Sequence, residues 1–220
     1  MNRTPLSFEF FPTRTEEGRK KVAITRQQLR QFNPEFFSCT FGAGGTTRDG
    51  TLQTVLDIMA EDTPAAPHLS CVGSSAEDIA EILNTYRAHD IKHIVALRGD
   101  IPSGMGMMDG FRYANELVSF IREQHGDWFH IEVAAYPEYH PQAKSAQADI
   151  DFFVQKCRAG ADSAITQYFY NIDAYFAFVD AVRAKGIDIP IVLASCPSPA
   201  SAICVASPTC VALKYRVGCV

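Results

Sequence analysis

One short run of the sequence places a carboxylate among aromatic residues on a predicted strand. Glu9 lies within Ser7–Pro12, which reads Ser-Phe-Glu-Phe-Phe-Pro, so three phenylalanines flank it. Apolar surroundings disfavour the charged form of a carboxyl group, so they raise its pKa and keep the acid protonated near neutral pH. The pattern predicts a general acid at Glu9, and the spacing is equally compatible with an ordinary strand glutamate that faces a loop or a partner.

Two further runs place polar or flexible residues directly after a strand. His93–Leu97 is an apolar run followed by Arg98, Gly99 and Asp100. Such an end can bring a guanidinium and a carboxylate to a ligand while the glycine allows close backbone approach, and a salt bridge is the alternative. The glycine-rich turn Thr40–Thr47 can offer N–H groups to a phosphate, although a tight turn without a ligand is the commoner outcome.

The segment after the fifth predicted strand, Ala134–Asp149, is densely polar. Loops that follow strands carry many binding groups in α/β enzymes. Its Glu138 and His140 have no third ligand at a suitable spacing, so no metal site is predicted. Gln167 follows the sixth strand, where one amide can read both edges of a heterocycle or bond to a turn. His68, on the third strand, has two possible interpretations: it faces a ligand, or it is a histidine packed in the core.

The composition favours a single domain with small-molecule chemistry. The chain has 220 residues, of which 47% are hydrophobic, and this is enough to bury one sizeable core. Its net charge of -5, with no long basic run, argues against nucleic acid or an anionic membrane as a partner. No apolar stretch has the length of a membrane span or a secretion signal, so we expect a cytoplasmic protein with reduced cysteines.

Strand-like runs alternate with segments of helical spacing along the chain, and this alternation predicts a parallel α/β sheet. Functional side chains follow nearly every strand, which favours a (β/α)8 TIM barrel over a doubly wound sheet with one switch point. No strand is followed by a G-x-G-x-x-G turn. The predicted strands are Leu6–Phe11, Phe36–Phe41, Pro67–Val72, His93–Leu97, His130–Tyr136, Ser163–Phe169 and Ile189–Leu193.

The helices between these strands have recognisable faces and ends. Ser75 and Asp78 match a capping box, and Gly160 and Gly186 stand where helices should end. The apolar faces predicted to pack on the sheet are Leu52, Val55, Leu56 and Met59, then Ile79, Ile82, Leu83 and Tyr86, then Tyr175, Phe178, Val179 and Val182.

Six of these runs occur together in the order that is typical of the methylenetetrahydrofolate reductase family, and the chain resembles that family over Ser7–Val192. The resemblance implies FAD held by barrel loops, NADH or NADPH as the reductant, and conversion of 5,10-methylenetetrahydrofolate into 5-methyltetrahydrofolate. It also implies a homo-oligomer for the full-length family. The runs are the phenylalanine-flanked glutamate, Thr-Phe-Gly-Ala, Ala-Pro-His-Leu, Ala-Leu-Arg-Gly-Asp, Ala-Ala-Tyr-Pro-Glu and Ala-Ile-Thr-Gln.

The resemblance also implies roles for individual residues. Glu9 matches the general acid that protonates the folate nitrogen as the five-membered ring opens, Asp100 matches a carboxylate beside flavin and folate, and Gln167 matches a folate-binding amide. Phe152 stands where some relatives carry a polar group and receives no role. The positions that match FAD or nicotinamide contacts are Thr40, Ala43, His68, Arg98, Gly99, Asp100, Ala114, Tyr136, His140, Asp149 and Lys156. Of these, the two cations Arg98 and Lys156 suit a pyrophosphate.

The resemblance stops after Val192. The segment from Leu193 to Val220 has no acidic residue and contains four of the seven cysteines. Back-translation of Val211–Val217 in another reading frame gives Gly-Ala-Glu-Ile-Pro-Arg-Trp, which is similar to the family. We therefore expect an incomplete barrel of about six and a half β/α units in residues 1–192 and a frameshift product in residues 193–220.

A barrel without strand eight and most of strand seven would expose two strand edges, so we expect poor stability, aggregation or dimerisation. Two other interpretations remain at this point. One is an inactive fragment that retains at most partial FAD binding. The other is an unrelated barrel lyase that uses Glu9 and His140 and binds no flavin.

Overall fold

The computed structural model describes residues 6–13, 15–41, 48–99, 110–195 and 212–215. Two of the predicted site residues, Ala43 and Asp100, lie outside these ranges. The chain divides into two compact units. The amino-terminal unit comprises Met1–His68 and Ala194–Val220, and the central unit comprises Leu69–Leu193. None of the helices in the described ranges combines the length and the apolarity needed to cross a membrane.

Strands and helices alternate as the sequence predicts. All seven predicted strands are present, although β3 begins before its predicted start and β7 runs past its predicted end. The strands are β1 (Leu6–Phe10), β2 (Phe36–Cys39), β3 (Ala65–Ser70), β4 (His93–Leu97), β5 (His130–Ala135), β6 (Ser163–Thr166), β7 (Ile191–Ser195) and β8 (Ala212–Tyr215). The helices are α1 (Glu16–Arg30), α2 (Arg48–Met59), α3 (Ala76–Ala88), α4 (Ala114–His125), α5 (Ala146–Arg158) and α6 (Ile172–Arg183).

In the amino-terminal unit, an aromatic cluster fixes one face of β1. Phe8 and Phe10 are buried, and their rings pack on Phe37 of β2 at centroid distances of 5.9 and 5.2 Å. Because successive side chains of a strand point to opposite faces, Glu9 lies on the other face of β1. The prediction that these flanking rings surround the Glu9 carboxyl group is therefore wrong.

The outer edge of β1 carries an antiparallel strand from the chain's last segment. β8 pairs with β1 so that Leu6 lies opposite Tyr215 and Glu9 lies opposite Ala212. Among the described residues, the parallel eighth strand of a complete barrel is absent, as predicted, but the edge of β1 that was expected to be unpaired is paired by this antiparallel segment. The physical reason is that edge pairing uses backbone N–H and C=O groups, which an extended segment of almost any sequence can offer.

In the central unit, the strands pair in parallel and in sequence order. β4 pairs with β5, β5 with β6, and β6 with β7. At the end of β3, the N–H groups of Cys71 and Val72 donate to the carbonyl groups of Leu97 and Arg98. The strand order β1 to β8 follows the chain, as in a (β/α)8 barrel and unlike a doubly wound sheet. The fold is therefore a (β/α)8 barrel in incomplete form, because its last strand is antiparallel.

The helix ends follow the predicted local rules. The Ser75–Asp78 capping box is present, and Gly160 and Gly186 adopt φ values of 116° and 75° just beyond α5 and α6. These positive angles favour glycine because it has no Cβ. The predicted face of α2 is rotated, since Val55 and Ile58 are fully buried whereas Leu52, Leu56 and Met59 are half-buried.

Candidate functional site

The amino-terminal unit brings two of the predicted site residues into contact. Glu9 is the fourth residue of β1, and its side chain is 19% exposed. Its Oε2 lies 3.3 Å from Nε2 of His68, which is on β3 and has a side chain that is only 7% exposed. The parallel register explains this contact, because Glu9 lies opposite Ser38 and Ser38 lies opposite Ala66, two residues before His68. The predicted acid therefore faces an imidazole.

Thr40 connects three elements of the same unit. Its N–H donates to the Phe10 carbonyl at 2.9 Å, which continues the pairing of β1 with β2. Its own carbonyl accepts a hydrogen bond of 2.9 Å from Oγ1 of Thr51 on α2. Both backbone groups of Thr40 are thus occupied within the protein, and only its half-buried side chain is available for a ligand.

In the central unit, Arg98 organises the segment that follows β4. The Arg98 carbonyl accepts hydrogen bonds from the Ser70 hydroxyl at 3.0 Å and from the Val72 N–H at 2.9 Å. Its guanidinium donates to Oε1 of Gln142 at 2.6 Å and to the Gly99 carbonyl at 3.3 Å. Among the described residues, Gln142 and Gly99 are the hydrogen-bond partners of the guanidinium, and no carboxylate is paired with it.

Gly99 is required at its position for two reasons. Its φ of 84° lies in the left-handed region, and an added Cβ would stand 1.9 Å from Oγ of Ser70. Any side chain here would therefore displace the hydroxyl that bonds to the Arg98 carbonyl. The glycine predicted for close backbone approach is packed tightly against β3.

The polar loop after β5 is held together by a histidine and an aspartate. The His140 N–H donates to Oδ2 of Asp149 at 2.9 Å, and His140 Nδ1 accepts from the Gln142 N–H at 3.0 Å. Tyr136 packs its ring edge-on against the His140 imidazole, with 4.7 Å between the centroids. Asp149 lies in the first turn of α5, where a carboxylate is stabilised by the helix dipole. Three predicted residues, Arg98, His140 and Asp149, thus belong to one hydrogen-bonded group through Gln142, and the Tyr136 ring packs against it.

Lys156 is the second cation of this group. Its ammonium donates to the Ala134 carbonyl on β5 and lies 5.9 Å from the Tyr136 ring centre. Burial lowers the pKa of Lys156 to about 8, and the charge of Asp149 opposes that shift. Lys156 therefore carries a positive charge at neutral pH and loses it within a mildly alkaline range. An amine of this kind suits a phosphate partner, which would favour the charged form.

Gln167 follows β6 directly, and its side chain is exposed. Its N–H donates to the Ala135 carbonyl at 2.7 Å, and its Oε1 accepts from the Tyr168 N–H at 3.0 Å. This is the turn-forming role that the sequence left open for it. The NH₂ group of the amide takes no part in these two hydrogen bonds and is therefore the part that can bind a ligand.

The sequence does not predict three further features of this region. Gln142 binds the Arg98 guanidinium, and Glu138 accepts from the N–H groups of Tyr170 and Asn171, which fixes the start of α6. Both lie in the polar loop, but no spacing signals their partners, which are 44 residues away for Gln142 and 32 and 33 residues away for Glu138.

A stacked aromatic pair is the third feature that the sequence does not predict. Tyr113, which precedes Ala114 at the start of α4, stacks on Phe152 of α5, with a centroid distance of 5.6 Å and an interplanar angle of 22°. Both rings are more than 40% exposed. The sequence shows each aromatic residue but gives no sign that they meet. Within the described ranges, no cluster of three or more His, Cys, Asp or Glu residues is arranged to hold a metal ion.

Comparison with known proteins decides the family. The family model "Methylenetetrahydrofolate reductase" matches residues 1–198. The chain belongs to the methylenetetrahydrofolate reductase family. The 5,10-methylenetetrahydrofolate reductase of Pectobacterium carotovorum is 45% identical over 192 residues, and that of Escherichia coli is 42% identical over 188 residues. These alignments cover 86% and 85% of this chain, but only 63% and 62% of the two relatives.

A plant relative agrees with this family assignment, and a solved structure agrees with the fold. The plant protein "Methylenetetrahydrofolate reductase (NADH) 1" of Arabidopsis thaliana is 38% identical over 86% of this chain and 34% of its own length. Among solved structures, an uncharacterized protein from Clostridium thermocellum that binds two copies of 5-methyl-5,6,7,8-tetrahydrofolic acid matches with a TM-score of 0.59. Its identity is 15%, with 85% of this chain and 64% of that chain covered, so this match shows the barrel fold alone. Family membership makes the interpretation as an unrelated lyase wrong.

Proposed function

We propose that this chain is a flavin-dependent reductase that converts 5,10-methylenetetrahydrofolate into 5-methyltetrahydrofolate with NADH or NADPH. Family membership supports the reaction class. The observation that carries the proposal is the group formed by Arg98, Tyr136, His140, Asp149 and Lys156 beyond β4 and β5. This group joins two cations to an aromatic ring and a fixed polar loop, which is what a phosphate-bearing cofactor requires.

The residues present fit FAD on chemical grounds. Arg98 and Lys156 supply positive charge for the pyrophosphate, and no described carboxylate bonds to either cation. Tyr136 and the exposed Tyr113–Phe152 pair offer flat apolar surfaces for rings. Bound FAD would take a hydride from the nicotinamide and pass it to the one-carbon unit of the folate.

Glu9 would provide the proton that this reaction consumes. We propose that its carboxyl group protonates the folate nitrogen that departs when the five-membered ring opens. Asp100 would lie beside the flavin and the folate, and the NH₂ group of Gln167 would hold the folate. The remaining predicted contacts, at Thr40, Ala43, His68, Gly99 and Ala114, belong to the same proposal.

An inactive product is the second candidate, and a specific observation favours it. The last described strand is antiparallel to β1, whereas the strands of a complete (β/α)8 barrel are all parallel. A site built on such a barrel would lack the groups that a parallel eighth strand carries. In this case the central unit would retain at most partial FAD affinity.

Two measurements on the 220-residue chain separate these candidates. FAD is titrated while the quenching of flavin fluorescence is recorded, and NADH or NADPH oxidation is then followed with and without methylenetetrahydrofolate. The reductase proposal expects FAD binding and folate-dependent oxidation. FAD binding without folate-dependent oxidation, or the absence of FAD binding, contradicts the reductase proposal and supports the inactive product.

A further inference from the structure

The imidazole of His68 has an unusual environment for a strand residue. His68 is 6% exposed, and its Nε2 has no hydrogen-bond partner among the described residues. The titratable group that it faces is the Glu9 carboxylate, whose Oε2 lies 3.3 Å away. A buried ring nitrogen without a hydrogen bond is costly, so its retention beside a carboxyl group points to a role for the pair.

The contact is fixed by the sheet and does not depend on a flexible loop. Glu9 is held on β1 by the Phe8, Phe10 and Phe37 cluster on the opposite face. His68 is held on β3 by a parallel register that begins with Phe37 opposite Ala65. Both residues belong to the amino-terminal unit, and their Nε2 and Oε2 atoms are 3.3 Å apart.

Two neighbouring ionisable groups among the described residues, Cys39 and Arg26, do not compete for the proton. Burial raises the pKa of the Cys39 thiol on β2 to about 12, so the thiol stays protonated and cannot accept a proton near neutral pH. The guanidinium of Arg26 on α1 is occupied by both carboxylate oxygens of Glu61. The imidazole and the Glu9 carboxyl group can therefore exchange a proton with each other.

We propose that His68 is a positioning residue for Glu9 that orients its carboxyl group and restores its proton after each turnover. The inference rests on the proposed function, in which Glu9 gives its proton to the departing folate nitrogen. The Nε2–H bond of protonated His68 then breaks as an O–H bond forms on Oε2 of the Glu9 carboxylate. The neutral imidazole regains its proton from solvent, so each turnover consumes one solvent proton and no electrons move in this step.

The first arm of the test reports the contact itself and needs no activity. The full chain is labelled with ¹⁵N-histidine, and the Nε2 resonance of His68 is identified by its loss in His68→Gln. Glu9→Gln should move this resonance and leave that of His89, an exposed histidine after α3, in place. An unchanged His68 resonance in Glu9→Gln overturns the proposal, even if the chain proves inactive.

The second arm separates the positioning role from flavin binding. In anaerobic half-reactions, His68→Gln and His68→Ala should slow folate reduction about 10- to 100-fold, less than the ~10²–10⁴-fold that a general acid itself contributes. Flavin reduction by NADH should fall less than folate reduction, because the cofactor contact proposed for His68 is one of several. Because glutamine keeps a donor but cannot pass on a proton, His68→Gln should also flatten the pH profile of the folate half-reaction. His89→Gln is the matched control, with both half-reactions unchanged.

The outcomes also distinguish this inference from the proposed function. Equal losses in both half-reactions, or loss of bound FAD, would assign His68 to the cofactor or to folding and overturn the positioning role. Unchanged kinetics in both His68 variants would overturn it as well. A wild-type chain that binds no FAD contradicts the proposed function, and the NMR arm then decides the contact on its own.

Discussion

In the amino-terminal unit the groups of interest lie on the strands themselves, whereas in the central unit they lie on segments beyond the strand ends. Glu9 and His68 are held by backbone register on β1 and β3. Arg98, His140 and Lys156 are instead held by hydrogen bonds to side chains and carbonyl groups. The hydrogen-bonded sheet sets the position of a side chain on a strand, whereas the position of a group on a loop depends on each of its bonding partners.

This difference has a chemical meaning. Proton transfer needs two groups at a closely defined distance, and the register of β1, β2 and β3 sets that distance between Glu9 and His68. Cofactor binding needs several charges and rings spread over a larger area, which loops can provide. We therefore expect variants in the amino-terminal unit to change one chemical step, and variants in the central unit to change cofactor affinity or folding.

The largest effect is expected at Glu9. Glu9→Gln keeps the shape of the side chain and removes the transferable proton, so the folate half-reaction should fall about 10²–10⁴-fold. Flavin reduction by NADH should remain within about twofold of wild type. Stopped-flow recording of flavin absorbance in each half-reaction measures both rates. Equal loss of the two would show that Glu9 serves cofactor binding or folding instead.

Gly99 tests how tightly the segment after β4 is packed. Gly99→Ala forces a Cβ into the space of the Ser70 hydroxyl and strains the backbone, so it should lower the free energy of unfolding by about 2–3 kcal/mol. Gly186→Ala is the control, because its φ of 75° is similar and nothing lies within 4 Å of the added Cβ. It should cost only about 1–2 kcal/mol, from backbone strain alone. Denaturant unfolding measures both, and equal losses would mean that the contact with Ser70 is unimportant.

Arg98 tests whether the central unit holds an anionic cofactor. Arg98→Ala removes a charge-assisted contact, so the dissociation constant for FAD should rise about tenfold, which corresponds to about 1.4 kcal/mol. Arg87→Ala removes an exposed arginine of α3 whose guanidinium lies over the Trp128 ring, and it should leave the affinity unchanged. Flavin fluorescence titration gives both constants. The same affinity in both variants would place the flavin phosphates elsewhere.

The smallest effect concerns the pH dependence of FAD binding. Because burial lowers the pKa of Lys156 to about 8, its attraction for phosphate is present below pH 8 and is lost as the pH rises above it. The dissociation constant for FAD should therefore rise about three- to tenfold between pH 7 and pH 9. Lys156→Arg, which stays charged throughout, should flatten this rise. An identical pH dependence in wild type and variant would exclude Lys156 from phosphate binding.

The sequence predicts much of the fold because its signals are local. The Ser75–Asp78 capping box, the glycines after α5 and α6 and the buried faces of α3 and α6 all appear as expected. The face of α2 and the pairing of β8 with β1 depend on tertiary contacts, which periodicity does not report. The frameshift origin of residues 193–220 stays a prediction, and the nucleotide sequence through the codon for Val192 tests it.

The candidate site is less predictable from the sequence than the fold. Motif order assigns Arg98, His140 and Asp149 to the segments that follow β4 and β5, but the Gln142 contact joins residues that no spacing relates. The phenylalanines next to Glu9 in sequence are on the opposite face of β1, and its actual neighbour, His68, comes from β3. Strand alternation and register decide such contacts, so an adjacent residue in sequence is a poor guide to a neighbour in space.

A single-turnover experiment on the wild-type chain tests the central claim most directly. FAD bound to the 220-residue chain is reduced anaerobically with NADH, and methylenetetrahydrofolate is then mixed in while absorbance at the flavin band is followed. The account predicts that the flavin is reoxidised and that 5-methyltetrahydrofolate is formed in equal amount. Reduced flavin that persists in the presence of the folate would contradict it.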